Sequence, residues 1–258
     1  MINRLQTYLR QCAAQLYTAI PLPPFTIFVH PTESFIHNNY AIPDKPLSGD
    51  LAQTLSLLCE VFTGQDRTPR FEYIEQFAPD LASALEVAGF VLEMRSLLMV
   101  CTPDTFRLAP AVDGVTITPL APDAPLSDIR ALMMVQREGF STKKSAPISD
   151  EEAATFRAWL GDTRFFLARY NGLPVSAGSL TPPIDGVAEV AGITTLAPYR
   201  RRGIGTAITA AATQTAFEQG VEIAMLTAGD EQAGRVYERV GFQAIGSGLA
   251  YVYPSAST

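Results

Sequence analysis

Six residues near the end of the chain line up with six in its first half, three of them identical. LEVAGF at 85–90 lines up with YERVGF at 237–242, an offset of 152. Upstream, FEYI at 71–74 lines up with VEIA at 221–224, an offset of 150. In each place an apolar strand is followed by a gap, a helix and a Gly-Phe step into the next strand. Recurrence at such spacing divides the 258 residues into two similar strand–helix units, which restricts the topology strongly. At the same offset the helical stretch 51–62 falls under the alanine-rich stretch that begins at 203. The identities are few, and two common strand–helix–Gly-Phe units would also produce them by coincidence. If the repeat is real, the first half is a shortened, degenerate copy of the second.

Proline and glycine punctuate the rest. PLPP at 21–24 is expected to stop the first helix, because proline cannot sit in a helix interior. TPDTFRLAPAVDG at 102–114 is a run of turn formers between apolar strands, and the domain boundary is placed there, giving domains 1–110 and 113–258. After it, periodicity predicts a strand at 115–119, helices at 126–140 and 150–160, and strands at 164–170, 174–180 and 187–196. Asn171-Gly172 joins two of these as a hairpin. A helix at 203–219, a strand at 221–227, a helix at 230–240 and two short strands at 242–245 and 249–253 complete the pattern. The expected class is α/β (α+β), a mixed, mostly antiparallel sheet with helices on both faces.

Composition excludes several functions. Net charge is −7, from 19 basic and 26 acidic residues, so a general nucleic-acid binder is not expected. The longest apolar runs fall far short of the about 20 residues that span a bilayer, and the start MINRLQTYLRQ lacks an apolar signal core. A cytoplasmic protein without membrane partners, monomeric or homodimeric, is the expectation. Cys12, Cys59 and Cys101 show no CxxC spacing, so neither a disulfide scaffold nor a metal site is expected. The two histidines, His30 and His37, lie near the N-terminus and leave the second half without a histidine for a triad. A structural role is expected for both.

The chemistry-bearing stretch is LAPYRRRGIGT at 196–206. It joins a β-branched strand to a strong helix. Gly203 and Gly205 lack a Cβ, so backbone there can approach a ligand and adopt positive φ. They stand at a helix start, where N–H groups lack intrahelical partners and the dipole is positive. Such an end binds phosphate, and Arg200, Arg201 and Arg202 add charge and bidentate donors. No Gly-Lys-[Ser/Thr] follows, which excludes a P-loop, and the third glycine of GxGxxG is missing. A mere cap would not place three arginines against the dipole.

On these residues the sequence resembles the GNAT acetyltransferase superfamily. Its coenzyme A loop, Arg/Gln-x-x-Gly-x-Gly/Ala, is matched by Arg200, Gly203 and Gly205. A second family pattern, Asn-x-x-Ala-x-x-x-Tyr-x-x-x-Gly-Phe, is matched by DEQAGRVYERVGF, with Asp230 in place of the asparagine. The resemblance covers 113–254 well and 25–102 only through the repeat, which makes the chain similar to a tandem GNAT with a degenerate first copy. It implies acetyl-CoA as co-substrate. Backbone N–H groups of Arg202, Gly203, Ile204, Gly205 and Thr206 would hold the pyrophosphate. Ile193, Thr194 and Thr195 would pair with the pantetheine arm, one N–H polarising the thioester carbonyl. It also implies that the strands at 187–196 and 221–227 splay apart.

Two side chains are candidates for proton transfer. Glu189 stands 11 residues before Arg200, where some family members carry a catalytic glutamate; burial would raise its pKa usefully. A solvent-facing strand position accounts for it equally simply. Tyr237 matches the family's proton donor to the departing thiolate; a core tyrosine on the last helix is the plainer role. Lys143 and Lys144 sit in the loop expected to shape the acceptor site, and Trp159 is expected to pack a helix beside it. The leading expectation is acetyl transfer to a primary amine, small-molecule or peptide, by direct attack. An acyl-CoA sensor and an interaction scaffold are the alternatives.

Overall fold

The computed structural model describes residues 1–47, 49–121, 123–141 and 146–254, with backbone only at Trp159. Lys143, Lys144 and the Trp159 side chain therefore lie outside the described residues. The chain divides into two compact units. The first comprises Met1–Leu98, Thr227–Asp230 and the chain from Ile245 on; the second comprises Met99–Leu226 and Glu231–Ala244. No helix among the described residues is long and apolar enough to cross a membrane.

The first unit opens with α1 (Ile2–Leu16), β1 (Thr18–Leu22), β2 (Phe25–Val29) and β3 (Tyr40–Pro43). It continues through α2 (Ala52–Gly64), β4 (Arg70–Ile74), α3 (Leu81–Val87) and β5 (Val91–Cys101). The first helix ends at Leu16, ahead of the prolines that were expected to stop it. Those prolines sit at the turn end of the β1–β2 hairpin, where Leu22 pairs with Phe25. The β-branched Thr18 and Ile20 favour extended backbone, and Pro21 is tolerated because β1 is an edge strand.

The second unit runs from β6 (Val115–Leu120) through α4 (Leu126–Phe140), α5 (Asp150–Trp159), β7 (Arg164–Tyr170), β8 (Leu173–Leu180) and β9 (Val187–Thr195). It then adds α6 (Ile204–Glu218), most of β10 (Ile223–Ala228), α7 (Glu231–Glu238) and the first two residues of β11 (Gln243–Val252), whose remainder belongs to the first unit. Strands β6 to β9 form an antiparallel meander. Strand β10 then joins β9 in parallel. Asn171 and Gly172 take φ +48° and +83°, the left-handed pair that a two-residue hairpin requires. Ser149 caps α5 by accepting the Glu152 N–H at 3.1 Å. Leu132, Val135, Leu167 and Ala177 share a core on one sheet face; the small residues Ala212 and Ala216 of α6 are fully buried.

The two short strands expected at 242–245 and 249–253 are one strand, β11. Gly246 and Gly248, which fall between the two expected strands, serve close packing. A Cβ on Gly246 would overlap the Gln76 amide, and one on Gly248 would stand 2.9 Å from Ser96 Oγ. The end of β11 pairs antiparallel with β4, Leu249 opposite Tyr73.

The repeat at 152 is visible in the backbone. Helix α2 starts at 52 and α6 at 204, and 204 − 52 = 152; β5 starts at 91 and β11 at 243, and 243 − 91 = 152. Gly89 and Gly241 both take left-handed φ, +91° and +100°. Each closes its helix with the same two hydrogen bonds. Gly89 N–H donates to Glu86 and Phe90 N–H to Leu85; Gly241 N–H donates to Glu238 and Phe242 N–H to Tyr237. That is the glycine-terminated helix end in which the next two N–H groups fold back on the last turn. Both units also place a parallel strand pair before it, Ala41 opposite Phe71 in one and Val187 opposite Ile223 in the other.

Candidate active site

In the second unit, β9 has different neighbours along its length. Its parallel ladder with β10 covers three positions, Val187 to Glu189 opposite Ile223 to Met225. Its antiparallel ladder with β8 continues to Thr195, with a bulge where Gly192 and Ile193 face the single Gly178. Gly192 takes φ +62° there, and a Cβ on Gly178 would overlap the Ile193 side chain. The last residues of β9 thus keep one ladder and leave the other. The Leu196 N–H donates to Val175 across β8. By the alternation of a strand, the backbone of Thr195 faces the opposite way.

Hydroxyls of β8 fasten the β8 side of this strand. Ser176 Oγ donates to the Thr194 carbonyl at 2.6 Å and lies 2.9 Å from Thr195 Oγ1. Ser179 Oγ donates to Ala191 at 3.1 Å. Thr194 is buried and fills the space a side chain at Gly139 of α4 would need. The sequence reading missed Ser176 and Ser179. Their signal was present in VSAGS, a strand segment of small and polar residues beside the motif strand.

The loop between β9 and α6 folds back on that strand. Arg200 Nε donates to the Thr195 carbonyl at 2.8 Å, and its Nη2 reaches the Gly139 carbonyl at 3.4 Å. Arg202 stacks its guanidinium over Tyr170 at 5.2 Å and Tyr199 at 5.8 Å. Two of the three arginines are thus engaged with protein groups. Arg201 takes φ +61° and Gly203 φ +82°, with Arg202 between them. Left-handed residues in a tight turn help to direct nearby N–H groups toward one concave point, an arrangement that receives anions.

Gly203 is the N-cap of α6 and provides no side-chain cap. The first-turn N–H groups of Ile204, Gly205 and Thr206 therefore face outward without an intrahelical acceptor. Ile204 and Thr206 are buried and hold the turn in place. At Gly205 a Cβ would stand 3.5 Å from Val236 of α7 and 3.8 Å from Thr195 Oγ1. The helix start, the end of β9 and the middle of α7 thus meet around Gly205.

Glu189 is half-buried on β9, opposite Met225. Its N–H donates to Thr181 Oγ1 at 2.8 Å, and its carbonyl accepts from the Thr181 N–H at 3.0 Å. It lies six residues before Thr195, about 20 Å along an extended strand. Tyr237 is half-buried on α7, its ring 6.3 Å from that of Phe242. Asp230 is exposed just before α7. The structure thus brings 193–195 together with 200–206, while Glu189 stands at the other end of the same strand.

Cys101, the last residue of β5, falls in the second unit. It is fully buried, and burial pushes its thiol above the ordinary range, although the Thr105 hydroxyl partly offsets this. A thiol so placed is a poor nucleophile. His30 Nδ1 accepts the N–H groups of Thr32 and Glu33 at 3.2 and 2.9 Å, which is a loop-shaping role. His37 lies 3.9 Å from Glu93.

Residues 130–242 match the profile of the Acetyltransferase (GNAT) family. This part of the chain is therefore a GNAT acetyltransferase domain. A GCN5-related N-acetyltransferase from Kribbella flavida is similar over 99% of this chain and 96% of its own, with 27% identity and a TM-score of 0.82. A GCN5-related N-acetyltransferase from Sphaerobacter thermophilus shares the fold over 91% of this chain and 79% of its own (17% identity, TM-score 0.65). A tandem GNAT protein from the clavulanic acid biosynthesis pathway does so over 90% and 79% (13% identity, TM-score 0.63). None of the curated proteins matches the sequence.

Proposed function

We propose that the second unit binds acetyl-CoA and transfers its acetyl group to a primary amine by direct attack. The observation that carries this reading is the start of α6. A left-handed Gly203 opens an uncapped helix beside Thr195, where β9 has already left its ladder with β10. A pyrophosphate fits the outward N–H groups of 204–206. An amide-bearing arm fits the backbone of 193–195, which offers the hydrogen bonds that β10 does not take. When bound, acetyl-CoA supplies the activated acyl group.

The chain's own residues do the rest. Arg200 and Ser176 hold the end of β9 in place, so its backbone donors need no reorganisation during the reaction. Glu189 receives the proton that an ammonium acceptor must lose before it can attack. Tyr237 delivers a proton to the departing sulfur. The buried Cys101 takes no part, which favours direct attack over an acyl-cysteine route. The acceptor is a small-molecule or peptide amine.

The test is calorimetric titration of the full chain with coenzyme A. One site per chain is expected. Gly203→Val should abolish it, because φ +82° excludes a branched residue and its side chain would press on Val112, 3.3 Å from a Cβ there. Unchanged binding by that variant overturns the reading.

A further inference from the structure

The first unit carries its own cleft at the place the repeat assigns to the cofactor in the second. It is a cavity of about 640 Å³ between α2 and α3, within the size range of small-molecule sites. Helix α2 is the counterpart of α6, and α3 that of α7. The chemistry of the cleft is nevertheless reversed.

In the second unit the helix start is open to an anion. In the first, Asp50 already occupies it: its Oδ1 accepts the Ala52 N–H at 2.9 Å. A phosphate there would displace a carboxylate and meet its charge. A second acid, Asp80, lines the same cavity at the head of α3, where its side chain makes no capping hydrogen bond. No Lys, Arg or His is among the described residues that line it. Each helix dipole offsets about half a charge, which leaves the mouth negative.

The remaining walls are apolar or aromatic. Leu51 and Leu55 form a buried floor, and Val87 stands almost fully exposed beside the opening. Tyr253 supplies an aromatic wall. Its ring is held edge-on to Phe90 at 5.2 Å and would touch a Cβ on Gly89 at 3.4 Å, so its face has a fixed position. Two carboxylates, a fixed phenol ring and an apolar floor are what an ammonium group on a hydrocarbon body requires.

We propose that this cleft binds an organic cation, an ammonium carried on an apolar body, and that it rejects phosphate esters. The inference rests on the lining of the first unit alone and stands whether or not the second unit uses acetyl-CoA. Cys59 lines the cavity and gives a local readout. The probe is benzyltrimethylammonium, titrated into the full chain by calorimetry. The expected result is one saturable site, several-fold slower alkylation of Cys59 by iodoacetamide when the site is filled, and no protection by 3-phenylpropionate or coenzyme A.

Asp50→Asn with Asp80→Asn should weaken the probe at least about tenfold, equivalent to 1.4 kcal/mol. Asparagine keeps the oxygen that caps α2, so the fold is preserved. Ser83→Trp, on the exposed face of α3, should fill the mouth and block the probe without changing the charge. No saturable binding up to about 10 mM, a weak site by any measure, overturns the proposal. So does binding that ignores both the charge and the tryptophan variants, or that leaves Cys59 unprotected. Equal binding of the phenylpropionate anion would show an apolar cleft without cation selectivity, and would also overturn it.

Discussion

Arg200 donates from Nε to the carbonyl of Thr195 at 2.8 Å, which ties the loop before α6 to the strand that precedes it. A residue that charge alone would assign to a phosphate serves as a brace. Arg200→Met should therefore act through geometry. Affinity for coenzyme A should fall by about tenfold, which corresponds to the loss of one charge-assisted hydrogen bond. Lys, a point charge that does not reproduce the guanidinium fork, should restore little. Full rescue by lysine would show that only charge matters.

Glu189→Gln should leave coenzyme A affinity unchanged, because the helix start is untouched. It should lower kcat by about 10²–10⁴-fold, the range expected for lost general-base help. The deficit should shrink as pH rises and more amine is already neutral. Tyr237→Phe should lower kcat without that recovery, since it removes a donor. The pH profiles of both variants with one acceptor amine provide the measurement, and full turnover by Glu189→Gln at neutral pH would assign the proton to another group, with the exposed Glu138 of α4 the next to change.

Gly241 has a packing role. It takes φ +100°, and any Cβ would overlap the carbonyl of Thr105. Gly241→Ala should cost about 3 kcal/mol, combining left-handed strain with backbone overlap. Its melting temperature should drop by about 6–12 °C for a chain of this size. Gly172→Ala, also left-handed but with nothing near, should cost clearly less.

Glu75 and Arg95 form a two-pronged pair, at 2.5 and 2.9 Å. The Arg95 hydrogen bonds hold the Glu75 carboxyl below its usual range, against a smaller opposing effect of burial. A folded-state pKa below the unfolded one gives stability that is present above the unfolded value and lost as pH falls through the lowered one. The pair is largely exposed, so the effect is modest. Glu75→Gln should lower stability by about 0.5–1 kcal/mol at neutral pH. Urea unfolding at a series of pH values should show the difference from the parent closing below about pH 4.

The sequence by itself determined what depends on a few neighbouring residues. The Asn171-Gly172 turn, the Ser149 cap, the Gly-Phe helix ends at 89 and 241 and the open start of α6 are all local. Each follows from backbone preference or from a side chain reaching two or three residues along the chain. The offset of 152 was legible for the same reason, since each copy writes its own local signals. Which strands lie side by side was decided elsewhere. That the end of β11 pairs with β4 depends on residues far apart in sequence fitting together, Gly246 beneath Gln76 and Gly248 beneath Ser96. The partners of side chains were equally hidden. Arg200 reads as an anion ligand until Thr195 is found within reach, and Asp50 reads as a loop acid until it is seen closing the helix start that its counterpart leaves open. Charge and periodicity are properties of the chain, but what a charged group meets is set only when packing brings distant backbone to it.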